Sequence, residues 1–340
     1  MVRGPAGMGS ADVIFVHPGG RGWGPVEVLA RLAAQYLPGM YLRLDAASWR
    51  WKYLRLPRIR GRRRSNHACI VIAPRPSHLT SILSPGVLQS GYDRILGWVI
   101  DSFWDDRIPM VAKRGRYYDH IFVTESADVL PWQRKVQASV SVLPWGADVL
   151  SVEFRATDKD LDLLRVGRQP PAWQDDERTA VVAKACGLTF AGRPPVSPVD
   201  VDSMIPLRAA LQRAKYVLAF SNRVSPGSYT HPTKEYLTGR FTDILGHGAV
   251  VAGALPRSSA VEDLLWPEST IEIDPSSIDG GMKVIAAAVD AWSPKLAHAN
   301  YRQALRRLDW RHRLKVLCQA CEVQSEPLMR DLEEIERKSR

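Results

Sequence analysis

Seven residues able to do chemistry fall within one short stretch: Tyr229, Thr230, Lys234, Glu235, Gly239, Arg240 and Asp243. Seven residues separate Glu235 from Asp243. The order of residue types over 229–253 reads as polar loop, short helix and buried strand. Thr238 suits the N-cap of a helix starting at Gly239 or Arg240, because its hydroxyl can accept from a free amide. Gly248 suits the left-handed position that ends such a helix. Residues 249–252 are apolar throughout, as a parallel strand covered on both faces requires. A loop that enters a helix beside a parallel strand aims free amides and the positive end of the helix dipole at an anion. Two acids in the same place imply a ligand that carries hydroxyls as well as phosphates.

Other stretches carry weaker signals. Residues 17–24 (His-Pro-Gly-Gly-Arg-Gly-Trp-Gly) follow an apolar run at 13–16 and precede helical periodicity up to Tyr36. Gly19 and Gly20 there either admit a phosphate or sugar against bare backbone or simply make a tight turn. The spacing is not the dinucleotide fingerprint, and Asp45 falls only after a second strand. Asp101, just after the apolar run 95–100, is either a ligand-facing acid at a strand's C-terminal edge or part of a turn and cap. His231 precedes a proline and reads equally as turn or ligand. His247, near the helix end, reads as a surface or packing histidine. The four cysteines, Cys69, Cys186, Cys318 and Cys321, are too few for a disulfide framework, and Cys318 and Cys321 lack the second pair that a metal site of that spacing needs. No metal site is expected.

Strands are predicted at 13–16, 41–44, 68–73, 95–100, 119–126 and 139–144, with residues 74–86 loop-like. A polar connector at 149–160 precedes further strands at 161–166, 188–191, 216–220, 249–252 and 270–273. Helices are predicted at 175–187, 205–215, 281–292, 300–309, 310–321 and 326–340. Two successive sets of alternating strands and helices predict an α/β chain of two Rossmann-like, doubly wound domains, with ligand in the cleft between them at the C-terminal strand edges. The boundaries expected are 1–155 for the first domain, 156–310 for the second and 311–340 for a helical tail.

Of the 340 residues, 45% are hydrophobic, enough for real cores. No apolar run approaches the roughly 18 residues of a transmembrane helix, and the first ten lack a secretion signal's apolar segment, so a cytoplasmic location is expected. The net charge of +10 is uneven: residues 1–150 hold 20 Lys/Arg against 11 Asp/Glu, residues 151–340 hold 26 against 25. The basic run at 55–64, with Trp49, Trp51 and Tyr53 ahead of it, is either a solvated loop or a contact with an anionic membrane surface spanning 49–64, at the inner face of the membrane. No nucleic-acid-binding signature accompanies the charge, and nucleic acid is not expected as a partner.

The residues at 119–126 with 142–148 (Val-Leu-Pro-Trp-Gly-Ala-Asp), the strand ending Gly167-Arg168, and Glu235 with Asp243 ahead of Gly248-Ala-Val-Val resemble motifs of the GT-B glycosyltransferases. The chain is most similar to the retaining "group 1" members that carry a Glu-x7-Glu element. The resemblance spans residues 12–310. It implies a glycosyltransferase of polysaccharide biosynthesis that uses a nucleotide sugar as co-substrate, with no other cofactor, and a glycan or lipid-linked acceptor. It further implies that Glu235 lies by the donor sugar, Asp243 on the ribose hydroxyls, Arg168 on the diphosphate, and Gly19 and Gly20 toward the diphosphate or acceptor. Lys234, Arg240 and the amides near Gly239 then neutralise the leaving diphosphate without a metal. Tyr229 and Thr230 belong to the donor loop, and Asp101 or His17 is the candidate base where one is used. The chain departs from the family in having Asp243 where Glu is usual and Trp173 where a lysine is usual, a charge that Lys234 or Arg240 could replace. Other readings are a nucleotide-sugar epimerase or phosphorylase of the same fold, and a basic binding protein without catalysis.

Overall fold

The apolar runs of the first half become neighbouring parallel strands. A computed structural model describes residues 9–45, 66–84, 87, 91–114 and 117–340. The basic run and its aromatics therefore lie outside the described residues. Packing divides the chain into two units, Met1–Pro144 with Arg311–Leu332, and Trp145–Trp310 with Glu333–Arg340.

In the first unit, β1 (Ser10–His17), β2 (Tyr41–Asp45), β3 (His67–Ala73), β4 (Arg94–Val99), β5 (His120–Val123) and β6 (Ser139–Val142) form one parallel sheet in the order β2-β1-β3-β4-β5-β6. Between these strands, the described residues also form helices α1 (Gly24–Tyr36), α2 (Met110–Arg114) and α3 (Ser126–Gln133). Ile14, Val71, Val99, Ile121 and Trp132 meet in its core. Full burial of each such side chain contributes about 1.5–3 kcal/mol. Within the stretch expected to be loop-like, Pro76–Leu83 instead winds into a 3₁₀ helix. The Arg75 amide donates to His78 Nδ1 at 3.2 Å, and Leu79 and Ile82 are buried beneath the turn.

In the second unit, β7 (Leu161–Arg165), β8 (Phe190–Ala191), β9 (Ala214–Phe220), β10 (Val250–Ala254) and β11 (Thr270–Glu272) form a parallel sheet in the order β11-β10-β9-β7-β8. Between and after these strands come α4 (Asp176–Ala185), α5 (Met204–Arg213), α6 (Gly239–Gly246), α7 (Ser259–Leu264), α8 (Ile278–Asp290) and α9 (Pro294–Arg307). The chain ends in α10 (Trp310–Cys321) and α11 (Glu326–Ser339).

Strand order fixes where each sheet opens. In the second sheet β8 lies on one side of β7 and β9 on the other, so the chain reverses its direction of growth between β7 and β9. In the first sheet the reversal falls between β1 and β3. The crevice outside the C-terminal ends of two such strands is where doubly wound sheets take ligands, because the connections leave in opposite directions and cannot fill it.

Candidate functional site

Two arginines occupy the crevice of the second sheet. The chain leaves β7 through Gly167, in the left-handed region at φ +72°, and Arg168. A Cβ on Gly167 would lie 2.6 Å from Arg240 Cδ, so the glycine lets the Arg240 side chain cross the strand end. Arg240 then donates from Nη1 to the Arg168 carbonyl and from Nη2 to the Phe220 carbonyl, each at 3.2 Å. Arg168 donates from Nε to the Ser225 carbonyl at 3.2 Å, and its guanidinium lies 4.5 Å from the ring centre of Tyr229, which is 60% exposed. Arg168 Nη1 is sealed from solvent with no hydrogen-bond partner among the described residues. Neither guanidinium is ion-paired there. Burial, and then the neighbouring Arg168 charge, push Arg240 down to about 10. Two adjacent guanidinium groups without a carboxylate between them among the described residues form a site that gains by taking an anion.

The turn after β9 organises both. Ser225 N donates to the Ser221 carbonyl at 2.9 Å, closing the turn that presents the Ser225 carbonyl to Arg168. Asn222 Nδ2 donates to the Lys234 carbonyl at 2.8 Å and so fixes the segment leading to Glu235. Thr230 closes the intervening loop on itself, exchanging three bonds with Gly227. His231 Nδ1 accepts from the amides of Thr233 and Lys234, which makes it a turn residue. Glu235 is half-buried just ahead of the α6 start. Gly239 opens α6 against Trp145, whose Nε1 would lie 3.0 Å from an added Cβ. Thr238 has the extended backbone of an N-cap, but its side chain makes no cap bond and its hydroxyl is sealed without a partner among the described residues. The helix ends as expected, with Gly248 at φ +68°.

Asp243 lies one turn further into α6 than Gly239 and Arg240. It shares its surroundings with Asp148, Arg208 and His247. Burial raises its carboxyl to about 7; Arg208 opposes the shift and Asp148 adds to it. Arg208 and Asp148 are 3.8 Å apart. His247 is a packing histidine: it is buried, its Nδ1 is 2.7 Å from the Asp243 carbonyl, and burial pushes it down to about 4. Trp173 is fully buried in the core against Phe220, so a cation at its position has no access to the crevice, whereas Arg240 does reach Gly167 and Arg168. The residues that sequence reasoning did not rank are Asn222, Ser225 and Arg208. Asn222 could have been flagged by its place at a strand end; the other two carry no local signal.

In the first unit, His17, Gly19, Gly20 and Asp101 all lie at the C-terminal edge of the sheet. Gly19 and Gly20 have φ of +78° and +75° with open space where a Cβ would project, and the Gly19 amide donates to His17 Nδ1 at 3.2 Å. Asp101 follows β4; burial raises its carboxyl to about 7 against the pull of Arg75. Arg75 itself stacks over Trp23 at 5.3 Å. Cys69, Cys318 and Cys321 are buried free thiols. Among the described residues, no group of three or more His, Cys, Asp or Glu is placed to hold a metal, and no helix is long and apolar enough to cross a membrane.

No family model matches the sequence, and no curated protein matches it. Solved structures do. An alpha-glucosyltransferase in complex with UDP and a 13-mer DNA containing a central A:G mismatch aligns at a TM-score of 0.55 and 10% identity, covering 92% of this chain and 99% of that one. The fold is GT-B. Two further GT-B chains align with lower scores. The lipopolysaccharide outer core galactosyltransferase WaaB, in its apo form, gives 0.45 at 12% identity over 91% of this chain and 98% of that one. TarM gives 0.46 at 11% identity over 75% of this chain, which spans only 55% of TarM's length.

Proposed function

We propose that this chain is a glycosyltransferase that moves a sugar from a nucleotide-sugar donor to a glycan or lipid-linked acceptor, with retention of configuration and without a metal. The observation that carries the reading is the Arg168–Arg240 pair at the β7–β9 crevice, beside the α6 N-terminus. In the reaction the bond from the sugar's anomeric carbon to the donor phosphate breaks and one to the acceptor oxygen forms. Charge grows on the leaving diphosphate. Arg168, Arg240, Lys234 and the amides at Gly239 oppose it, and fixed donors of this kind act most strongly where water is excluded. Glu235 stands by the sugar and Asp243 accepts from the ribose hydroxyls. Tyr229 and Thr230 shape the donor loop. Gly19 and Gly20 leave room for the diphosphate or acceptor. The acceptor proton passes to the departing phosphate or to a base, for which Asp101, whose carboxyl burial raises to about 7, and His17 are the candidates.

Exchanging Glu235→Gln tests the central assignment. Nucleotide affinity should stay within about twofold while turnover falls at least about a hundredfold, the range typical of a group acting at the reacting centre. Equal turnover would remove Glu235 from the site. The acceptor side rests on the basic, aromatic residues 49–64, which suit an anionic membrane surface. Replacing Arg62, Arg63 and Arg64 by glutamine should weaken sedimentation with phosphatidylglycerol vesicles. Unchanged sedimentation would make the run a solvated loop.

A further inference from the structure

The turn Ser221–Ser225 holds buried polar atoms that the fold does not satisfy. Asn222 and Ser225 are each 2% exposed, and Asn222 Oδ1, Ser225 Oγ and the adjacent Arg168 Nη1 have no hydrogen-bond partner among the described residues. Native chains rarely leave such groups unpaired, because each forfeits its hydrogen bonds to water. The orientation of the Asn222 amide is fixed: the Lys234 carbonyl can only accept, so Nδ2 faces it and Oδ1 faces the turn. An orphaned donor on Arg168 calls for an anionic oxygen. An orphaned acceptor on Asn222 calls for an O–H or N–H. Both sit at the β7–β9 crevice, and Phe220, two residues before Asn222, accepts from Arg240.

The cover over these atoms is the segment from Gly227 to Thr233, hinged at Lys234. A Cβ on Gly227 would collide with Arg168 Nη1, Tyr229 stacks on the same guanidinium, and Lys234 rests on Asn222. This segment has no helix or strand and is largely exposed. Within it Thr230 bonds to Gly227, and His231 accepts from the amides of Thr233 and Lys234. None of these bonds belongs to the sheet, so the segment can move aside while Lys234 stays on Asn222.

Resting on the glycosyltransferase reading, we infer that Asn222 is a donor-specificity residue whose Oδ1 accepts a hydrogen bond from one hydroxyl of the transferred sugar once the Gly227–Thr233 segment moves aside, with Lys234 staying on Asn222 Nδ2. The sugar is favoured over the ribose because the same amide holds Lys234, the neighbour of Glu235. A site built to accept from a hydroxyl discriminates strongly against a ligand that lacks it, since its own buried acceptor is then stranded.

The experiment is a calorimetric titration of the full chain with UDP-glucose and GDP-mannose, followed by the 2-, 3-, 4- and 6-deoxy sugars of the one that binds, and by its 2′-deoxyribose analogue. In the wild type, one sugar deoxygenation should weaken binding by about tenfold or more. In Asn222→Ala the parent donor should lose about as much, and the same deoxygenation should then cost no more than about twofold. Asn222→Asp keeps the acceptor but not the Lys234 bond and should retain the deoxy penalty, which separates reading a hydroxyl from holding the loop. The inference is overturned if Asn222→Ala weakens every donor by one common factor, or if the penalty it abolishes is that of the 2′-deoxyribose. Circular dichroism checks that each variant is folded; if the alanine variant is not, loss of the penalty in Asn222→Leu decides, and its persistence there overturns the inference. If neither parent donor binds the wild type and UDP, GDP and ADP with their other sugars do not bind either, the glycosyltransferase reading falls together with the inference.

Discussion

Asp243 shows how the burial of one carboxyl gives a pH signature. Its folded-state pKa is raised from 3.8 to about 7, so the folded protein binds its proton more tightly than the unfolded chain does. The stability this contributes is complete below about pH 4 and is lost as pH rises through about 7. His247 acts in the opposite sense: its value falls from 6.5 to about 4, so its contribution is present above the unfolded value and lost as pH falls through about 4. Asp243→Asn isolates the first effect. At pH 8 the variant should be the more stable by about 1–3 kcal/mol, a figure reduced for partial solvent access, and at pH 4 the two should converge. Thermal melts across that range read it; a constant difference would show that burial does not govern this carboxyl. At this scale the sequence was partly informative. The spacing of Glu235 and Asp243 about a helix start, and the Gly-Arg at a strand end, are local patterns. That Arg240 rather than a residue near Trp173 sits on Gly167 depends on how α6 meets β7, which no local pattern records. Thr238 was legible as a backbone cap, but its hydroxyl makes no bond to the helix.

The elements were the most legible level. Apolar runs at period one, bounded by Gly, Pro and polar residues, marked the strands, and their alternation with helices marked two doubly wound sheets. The 3₁₀ helix Pro76–Leu83 escaped because its proline and serines look like loop, while its order comes from Leu79 and Ile82 packing into the core. Register and strand order, and hence the β7–β9 crevice, needed the structure, since pairing between distant strands leaves little trace in one sequence. The C-terminus of α6 was readable from Gly248 and gives a sharp test. At φ +68°, a Cβ there would lie 2.6 Å from Phe154 Cε2 and 2.7 Å from the Ala297 carbonyl. Gly248→Ala should therefore cost about 2–4 kcal/mol, combining the left-handed penalty with overpacking. A urea midpoint equal to that of the wild type would contradict this account of how α6 joins β10.

For the whole molecule, the sequence located the alternation of the two sheets and the uneven charge. It did not show that Arg311–Leu332 packs with the first unit, where Arg311 donates to Tyr36 Oη and Asp331 at 2.8 Å. That arrangement rests on contacts between residues far apart in the chain. The GT-B fold alone is compatible with many activities, so function must be argued from the crevice. The most direct measurement is a thermal titration with UDP, GDP and ADP and their sugars, on the wild type and on the double variant Arg168→Met/Arg240→Met. A ligand that binds only the folded state stabilises it by about 2.7 kcal/mol at a hundred times its dissociation constant, a shift of a few degrees. At least one nucleotide should raise the wild-type midpoint by that much, and the double variant should lose most of the rise while its own unliganded midpoint holds or increases as the two like charges are removed. No shift with any nucleotide, or an equal shift in the double variant, would contradict the reading of the crevice as a nucleotide-sugar site.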